Sequence, residues 1–275
     1  MIPKNIFLMW DKPRPEWPLS VSFCINLWLE MNPDFNVEIF DGHDARALVK
    51  DDFDMEIYDS LKVQHQSDIV RTKLLAERGG IWVDATCMPH RPARLWIDQF
   101  SNSDFAGLKS LTKGQVVDNW FMVSQKSSIL MSKQYTALQR YWSTPKINLP
   151  QDPRSIAMIS DAWRLYVTDL VAHELKLAPY FIWHYIFRSL LEDDAEFAAI
   201  FMSQIYTSSD GGCGFVALTM AKSPGAVVPL PDDIKNHIIH SASPLSKLIR
   251  WNKDTESVLS ELRHCVQLRA DIEGF

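Results

Sequence analysis

Two acidic residues and one arginine are spaced so that they could form a polar site. Asp68 and Arg71 lie three positions apart in residues 67–78, which we predict to be a helix that ends at Gly79 and Gly80. Asp84 ends the short apolar run 81–84, which we predict to be a strand. The helix would span roughly 18 Å and the strand would return roughly 13 Å. If they pack antiparallel, all three side chains meet at one crevice.

This combination of groups suits a nucleotide sugar. Carboxylates accept hydrogen bonds from sugar hydroxyls or bind a hard divalent cation, and arginine binds phosphate with its planar fork. The N-terminus of the helix favours an anion, and α/β proteins bind ligands at the carboxyl ends of their strands. Two simpler interpretations stay open. Asp84 could cap a turn, and Asp68 with Arg71 could form a surface ion pair worth only tenths of a kcal/mol.

Apolar runs and helical periodicity predict the elements that must position these residues. Predicted strands cover 5–10, 36–40, 81–84, 104–108 and 116–123, and loops cover 146–154 and 208–231. Predicted helices cover 20–31 with Ser20 as cap, two short segments between 44 and 62, and 67–78, 127–142, 156–175, 180–191 and 255–269. Strands that alternate with helices in the first third of the chain predict a layered α/β domain.

The composition excludes several classes of protein. The chain has 275 residues, 47% hydrophobic and 23% charged, with a net charge of -6. A sequence-wide basic footprint is therefore missing, and we expect no nucleic-acid partner. The sequence has no run of about 18 apolar residues, so we expect no transmembrane helix. It also has no apolar leader, so we expect no signal peptide. The four cysteines and eight histidines match no zinc pattern. We therefore expect a cytoplasmic protein with reduced thiols.

Several segments resemble a known family. The segments S-D-I-V-R at 67–71 and G-G-I-W-V-D-A-T at 79–86 resemble the donor site of DXD-type glycosyltransferases. The family is that of capsular polysaccharide synthesis proteins, related to the family 32 mannosyl- and galactosyltransferases. The glucosyltransferase domains of large clostridial toxins carry a similar segment. Weaker resemblances lie at 2–10, at D-N-W-F in 118–121, and at 240–251, which is similar to a degraded form of the closing motif.

The resemblance implies a GT-A type fold, which is a mixed sheet flanked by helices. The segments along the chain predict a helical insertion in the second half, and a domain boundary at the prolines near 150 fits them equally well. The resemblance also implies that a hexose moves from a nucleoside diphosphate sugar, expected to be a UDP-sugar, with retention at the anomeric carbon. The acceptor would be a growing bacterial surface polysaccharide or a lipid-linked glycan. We expect one domain over 1–275: a nucleotide-sugar-binding core in 1–125, a mainly helical acceptor side in 126–205, and a tail in 206–275 that completes the site.

The resemblance also assigns roles to donor-site residues. Trp10 would lie near the nucleobase, Asp68 would contact ribose or sugar hydroxyls, and Arg71 would contact sugar or phosphate. Trp251 would contact the donor as well. Asp84 would be the first acid of the DXD motif and catalytic. Support for a front-face attack would come from Asp118 or Asn119.

A divalent metal, Mn²⁺ or Mg²⁺, is expected on Asp84, Thr86 and His240. Thr86 stands where the family has a second acid. A hydroxyl is a weaker ligand than a carboxylate, so the metal should be held loosely and should bind together with the diphosphate. Lys247 or Arg250 could add positive charge for the leaving diphosphate.

A lipid-linked acceptor would bring the protein to the inner face of the cell membrane. Weak peripheral association is therefore expected through the basic and aromatic residues between Lys247 and Lys253 and through the aromatic run 180–191. That run could instead be a buried helix or an acceptor-lining surface. Two rival functions stay open: a non-catalytic nucleotide-sugar or glycan-binding protein, favoured by Thr86, and a metal-dependent phosphate hydrolase that uses Asp68 and Asp84.

Overall fold

The computed structural model describes residues 1–109, 116–148, 177–178, 180–204, 207–208, 230, 232–241, 244–248 and 256–275. The strands in these ranges are β1 (Asn5–Met9), β2 (Asn36–Phe40), β3 (Gly80–Val83), β4 (Cys87–Pro89), β5 (Phe105–Lys109), β6 (Val117–Ser124), β7 (Ile147–Asn148), β8 (Leu177–Ala178), β9 (Thr207–Ser208) and β10 (Leu245–Lys247). The α-helices there are α1 (Leu19–Met31), α2 (Gly42–Val49), α3 (Met55–Ser60), α4 (Val63–Glu77), α5 (Ile129–Tyr141), α6 (Ile182–Asp193), α7 (Ala195–Ser203), α8 (Asp232–His240) and α9 (Glu256–Glu273).

A mixed sheet organises the first half of the chain. Its strand order is β2-β1-β3-β6-β5-β9. β1 pairs in parallel with both β2 and β3, whereas β6 runs antiparallel to β3 and β5. Because β1 and β3 are parallel, the residues that follow them, Trp10 and Asp84, emerge at the same edge of the sheet. The predicted mixed sheet flanked by helices is confirmed.

The sheet is buried on both faces because its side chains alternate between two cores. From β1, Phe7 and Met9 pack into the core formed with α4, α5 and α6. Ile6 and Leu8 point the other way and pack with residues of α1, including Trp28. This two-sided burial explains why β1 appears in the sequence as a continuous apolar run rather than an alternating one.

Two glycines connect α4 to β3 as the sequence predicts. Gly79 has φ 63° and Gly80 has φ 121°, both in the left-handed region. A Cβ on Gly79 would lie 2.4 Å from the backbone nitrogen of Lys126, and one on Gly80 would lie 2.6 Å from the carbonyl oxygen of Asn5. No other residue fits this turn without displacing backbone. The turn therefore fixes how the end of α4 meets the sheet.

Helix α4 begins at Val63, four residues before the predicted start. Lys62 is its N-cap, with no side-chain cap bond, and the Ser67 hydroxyl instead accepts a hydrogen bond from Arg71. Ser20 is likewise not a cap, because α1 starts at Leu19 and Ser20 is buried within it. In both places the helix begins before the serine, so the serine lies inside the helix and does not cap it.

Other differences concern the second half. The sequence did not predict α7 or α8, and α9 extends to Glu273. The predicted helix 156–175 lies outside the described residues, as do most of the predicted loops. In the aromatic run 180–191, α6 buries residues 182–187, so the buried-helix interpretation is correct for that half of the segment. Among the described residues, no helix has both the length and the apolar character needed to cross a membrane.

Candidate active site

An open cleft of about 540 Å³ lies at the sheet edge where β1 and β3 end, a volume typical of small-molecule sites. Residues from both halves of the chain line it: Met9, Trp10, Asp11, Val63, Gln64, Ser67, Asp68, Arg71, Asp84, Ala85, Thr86, Asp118, Asn119, Trp120, Tyr180, Phe181, His184 and Lys247. The cleft therefore brings together seven of the nine residues assigned to the site from sequence: Trp10, Asp68, Arg71, Asp84, Thr86, Asp118 and Asn119.

Asp84 is held from two sides by cations. Its Oδ1 lies 3.4 Å from Arg71 Nη1, and its Oδ2 lies 2.5 Å from Lys247 Nζ. The indole Nε1 of Trp82 also donates to Oδ1, at 3.3 Å. Burial acts to raise the pKa of Asp84, but Lys247 and Arg71 outweigh it and hold that pKa below its ordinary value. Asp84 is therefore an ionised carboxylate in a fixed orientation, with its side chain 25% exposed.

Most of the N–H groups of Arg71 donate hydrogen bonds to other groups of the protein. Its Nε and Nη2 donate to the carbonyl and the hydroxyl of Ser67, and its Nη1 donates to the carbonyl of Asn119 at 2.5 Å. The guanidinium also stacks 5.0 Å from the ring centre of Trp82. With a side chain only 7% exposed, Arg71 links α4 to β6 and orients Asp84. The surface ion-pair interpretation of Asp68 and Arg71 is therefore wrong.

Asp68 faces the protein more than the cleft. Its Oδ1 accepts a hydrogen bond from Asn119 Nδ2 at 2.8 Å and lies 3.5 Å from Arg71 Nε. Burial raises the pKa of Asp68 to about 7, with Arg71 opposing the shift and Asp84 adding to it. Near neutral pH this carboxyl is therefore protonated in a large fraction of molecules, and it acts as a partner of Asn119.

Lys247 reaches the cleft through a small second sheet. β10 pairs antiparallel with β4, with Lys247 opposite Cys87, and the backbone nitrogen of Leu248 donates to the Thr86 carbonyl at 2.9 Å. The Lys247 ammonium lies 5.4 Å from the ring centre of Trp120. Its side chain is 18% exposed. The sequence suggested Lys247 only as an alternative to Arg250, which lies outside the described residues.

The predicted metal ligands do not come together. Thr86 lines the cleft, but His240 is exposed in the last turn of α8 and is not among the cleft residues. Within the described ranges, one group of three side chains could hold an ion: Asp41, His43 and Asp44, which form the N-terminus of α2 outside the cleft. Asp84 already has an ammonium at Oδ2. The three predicted ligands Asp84, Thr86 and His240 therefore do not form one preassembled metal site among the described residues.

Three cleft residues at or just before the start of α6 were not among the site residues predicted from the sequence. Tyr180, Phe181 and His184 line the cleft there, and the only available signal was the acceptor-lining interpretation of the aromatic run. Burial, together with the positive charge of Arg71, lowers the pKa of His184 to about 3. His184 is therefore neutral at physiological pH. Trp251, the remaining predicted donor contact, lies outside the described residues.

Comparison with known proteins identifies the family. The family described as capsular polysaccharide synthesis protein matches residues 1–149, which is more than half of the chain. The chain belongs to the capsular polysaccharide synthesis protein family, as its sequence predicts. The match includes the whole segment 66–89, which carries the cleft residues Asp68, Arg71 and Asp84.

Two solved structures are similar to this chain at low identity. One is described as PaToxG glycosyltransferase; it is 15% identical, with a TM-score of 0.42, and the match covers 73% of this chain and 74% of that one. The other is a glycosyltransferase involved in the glycosylation of the major capsid of PBCV-1. It is 8% identical, with a TM-score of 0.40 and coverage of 96% and 98%. No curated protein matches the sequence.

Proposed function

We propose that this chain is a glycosyltransferase of GT-A type that moves a hexose from a nucleoside diphosphate sugar to a growing bacterial surface polysaccharide or lipid-linked glycan. Membership of the capsular polysaccharide synthesis family supports this function. The observation that carries it is Asp84, an ionised carboxylate that Arg71 and Lys247 hold at an open cleft on the carboxyl edge of the sheet. We expect the donor to be a UDP-sugar and the transfer to retain the anomeric configuration.

The three parts of the chain would contribute to one site. The core, 1–125, supplies Trp10 for the nucleobase, Asp68 for ribose or sugar hydroxyls and Asp84 as the catalytic carboxylate. The region 126–205 supplies Tyr180 and Phe181, whose aromatic rings suit an acceptor sugar. The tail, 206–275, supplies Lys247, and in this proposal Trp251 would also contact the donor.

The reaction is a substitution at the anomeric carbon. The bond from that carbon to the diphosphate oxygen breaks, and a bond to the acceptor hydroxyl oxygen forms on the same face of the ring. The acceptor proton passes to the departing diphosphate. The protein would orient both substrates and stabilise charge in an oxocarbenium-like transition state. Asp84 would stabilise the sugar cation, and Asp118 or Asn119 would support the front-face attack.

A non-catalytic nucleotide-sugar-binding protein is the second candidate. Thr86 in place of an acid favours it, as does the engagement of both Asp84 oxygens with side chains of the protein. The phosphate hydrolase loses support, because the carboxyl of Asp68 is buried against Asn119 rather than presented to a metal.

A thermal-shift screen tests the donor site. UDP-, GDP- and CMP-sugars are added to the full chain with and without manganese, and a UDP-sugar is expected to raise the melting temperature most. The Trp10→Ala variant should lose that shift because it lacks the nucleobase platform. Trp17→Ala is the matched control: Trp17 packs against the same core as Trp10 but does not line the cleft. No shift with any nucleotide sugar would contradict the proposed function.

A further inference from the structure

The cleft places an ammonium group where a metal would have to meet Asp84. A Mg²⁺ ion bound to a carboxylate oxygen lies about 2.0–2.1 Å from it. The Lys247 Nζ already lies 2.5 Å from Asp84 Oδ2, and Arg71 lies 3.4 Å from Oδ1. A metal on either oxygen would sit beside a fixed positive charge. The resulting repulsion disfavours the binding of a metal to this carboxylate.

The distribution of charge in the cleft points to Lys247 as the cation available to a ligand. Among the described cleft residues, Arg71 and Lys247 carry the positive charge. Arg71 donates to Ser67 and Asn119 and is only 7% exposed. The Lys247 ammonium has three N–H donors, of which Asp84 Oδ2 accepts one. Lys247 therefore has donor capacity that faces the cleft.

The position of Lys247 is fixed before any ligand arrives. The ladder between β10 and β4 holds its backbone, and the ring of Trp120 and the carboxylate of Asp84 hold its side chain. A flexible lysine loses considerable side-chain entropy when it is immobilised by a ligand. In this protein the side chain of Lys247 is already immobilised in the folded state, so binding an anion costs little further side-chain entropy.

We propose that Lys247 binds the diphosphate of the donor in place of a divalent metal on Asp84. This inference rests on the proposed function, because it takes a nucleoside diphosphate as the ligand of the cleft. Asp84 keeps the ammonium in place and orients it, and the remaining N–H groups donate to phosphate oxygens. Binding of a nucleoside diphosphate then needs Lys247 and does not need a metal.

Titration calorimetry of the full chain with UDP, or with GDP if UDP does not bind, tests this. Wild-type binding should be the same in chelator and in manganese. Lys247→Ala should weaken binding about tenfold or more, the effect of losing a charge-assisted hydrogen bond. Lys247→Arg should keep most of the affinity because it keeps the charge. Lys133→Ala is the matched control, since Lys133 is also ion-paired, at 2.6 Å to Asp194, but lies outside the cleft.

A double variant separates direct binding from an indirect effect through Asp84. If Lys247 only neutralises Asp84, its removal should cost nothing once Asp84→Asn has removed the negative charge. If Lys247 contacts phosphate, Lys247→Ala should still weaken UDP binding in the Asp84→Asn background. A loss in that background supports the inference, and no loss overturns it.

Two further results would overturn the inference: wild-type binding that disappears in chelator and returns with manganese, or unchanged affinity in Lys247→Ala. Failure of the proposed function would look different. In that case neither UDP nor GDP would bind to the wild type with or without manganese.

Discussion

The free energy of unfolding of the Asp68→Asn variant should increase relative to that of the wild type as the pH rises. Burial raises the pKa of Asp68 from its ordinary 3.8 to about 7 in the folded state. In the unfolded chain Asp68 loses its proton at lower pH than in the folded protein. Its contribution to stability is thus fully present below pH 3.8 and is lost as the pH rises through 7. Asparagine has nearly the same shape and does not titrate.

The magnitude follows from the size of the shift. A difference of about three pKa units at 1.36 kcal/mol per unit gives roughly 4 kcal/mol over the whole window. Between pH 5 and pH 8, the expected gain of Asp68→Asn over the wild type is roughly 2.5 kcal/mol by the same relation.

Urea unfolding of the ligand-free protein at a series of pH values measures this gain. The difference between variant and wild type cancels the titration of all other groups. Asp52→Asn is a control of opposite sign. Burial acts to raise the pKa of Asp52, but its bonds to Lys73 and Tyr135 lower it overall. That variant should lose stability relative to the wild type as the pH rises. If the difference in free energy of unfolding between Asp68→Asn and the wild type does not change with pH, the pKa of Asp68 is not raised by burial.

Three further variants test the turn, the buried contacts and the buried histidine that hold the elements around the site. Gly80→Ala should prevent stable folding, because its Cβ would lie 2.6 Å from the Asn5 carbonyl oxygen; soluble protein that melts like the wild type would contradict this. Arg71→Ala should lower the free energy of unfolding by roughly 3–5 kcal/mol, because it leaves buried partners unpaired; a urea-measured change below about 1 kcal/mol would mean that the guanidinium is dispensable. Burial lowers the pKa of His65 to about 4, so the wild type loses stability as the pH falls from 6.5 towards that value. His65→Phe should therefore lose roughly 3 kcal/mol less of its free energy of unfolding than the wild type over this pH range. Urea unfolding curves with the same pH dependence in this variant and the wild type would show that His65 does not titrate as a buried group.

The local part of the site could be predicted because short-range geometry determines it. Asp68 and Arg71 lie on one helix face, and the Gly79–Gly80 turn returns the chain so that Asp84 lies 3.4 Å from Arg71. Helical periodicity and two glycines are enough to predict this. The start of α4 could not be predicted in the same way, because contacts of its first turn with distant residues, such as the packing of His65 on Trp142, determine it.

The long-range part of the site could not be predicted from pattern. Lys247 meets Asp84 across 163 residues of sequence, through the pairing of two three-residue strands. Strands that short carry almost no periodic signal. The prediction that His240 binds a metal depended on the tail alone, and α8, which the sequence did not predict, ends at that residue with its side chain exposed.

Turnover of a nucleotide sugar tests the central claim most directly. Release of UDP from UDP-sugars, without acceptor, is followed with the wild type and with Asp84→Asn, and Asp59→Asn serves as an ion-paired acidic control outside the cleft. The wild type and the control should hydrolyse the donor slowly. The turnover of Asp84→Asn should fall by about a hundredfold or more, because the variant loses a preorganised charge at the reacting sugar. Its urea unfolding curve must still show a folded protein at the assay temperature, since the variant also loses the pairing with Arg71 and Lys247. Equal turnover by Asp84→Asn and the wild type would contradict the assignment of this cleft as the active site.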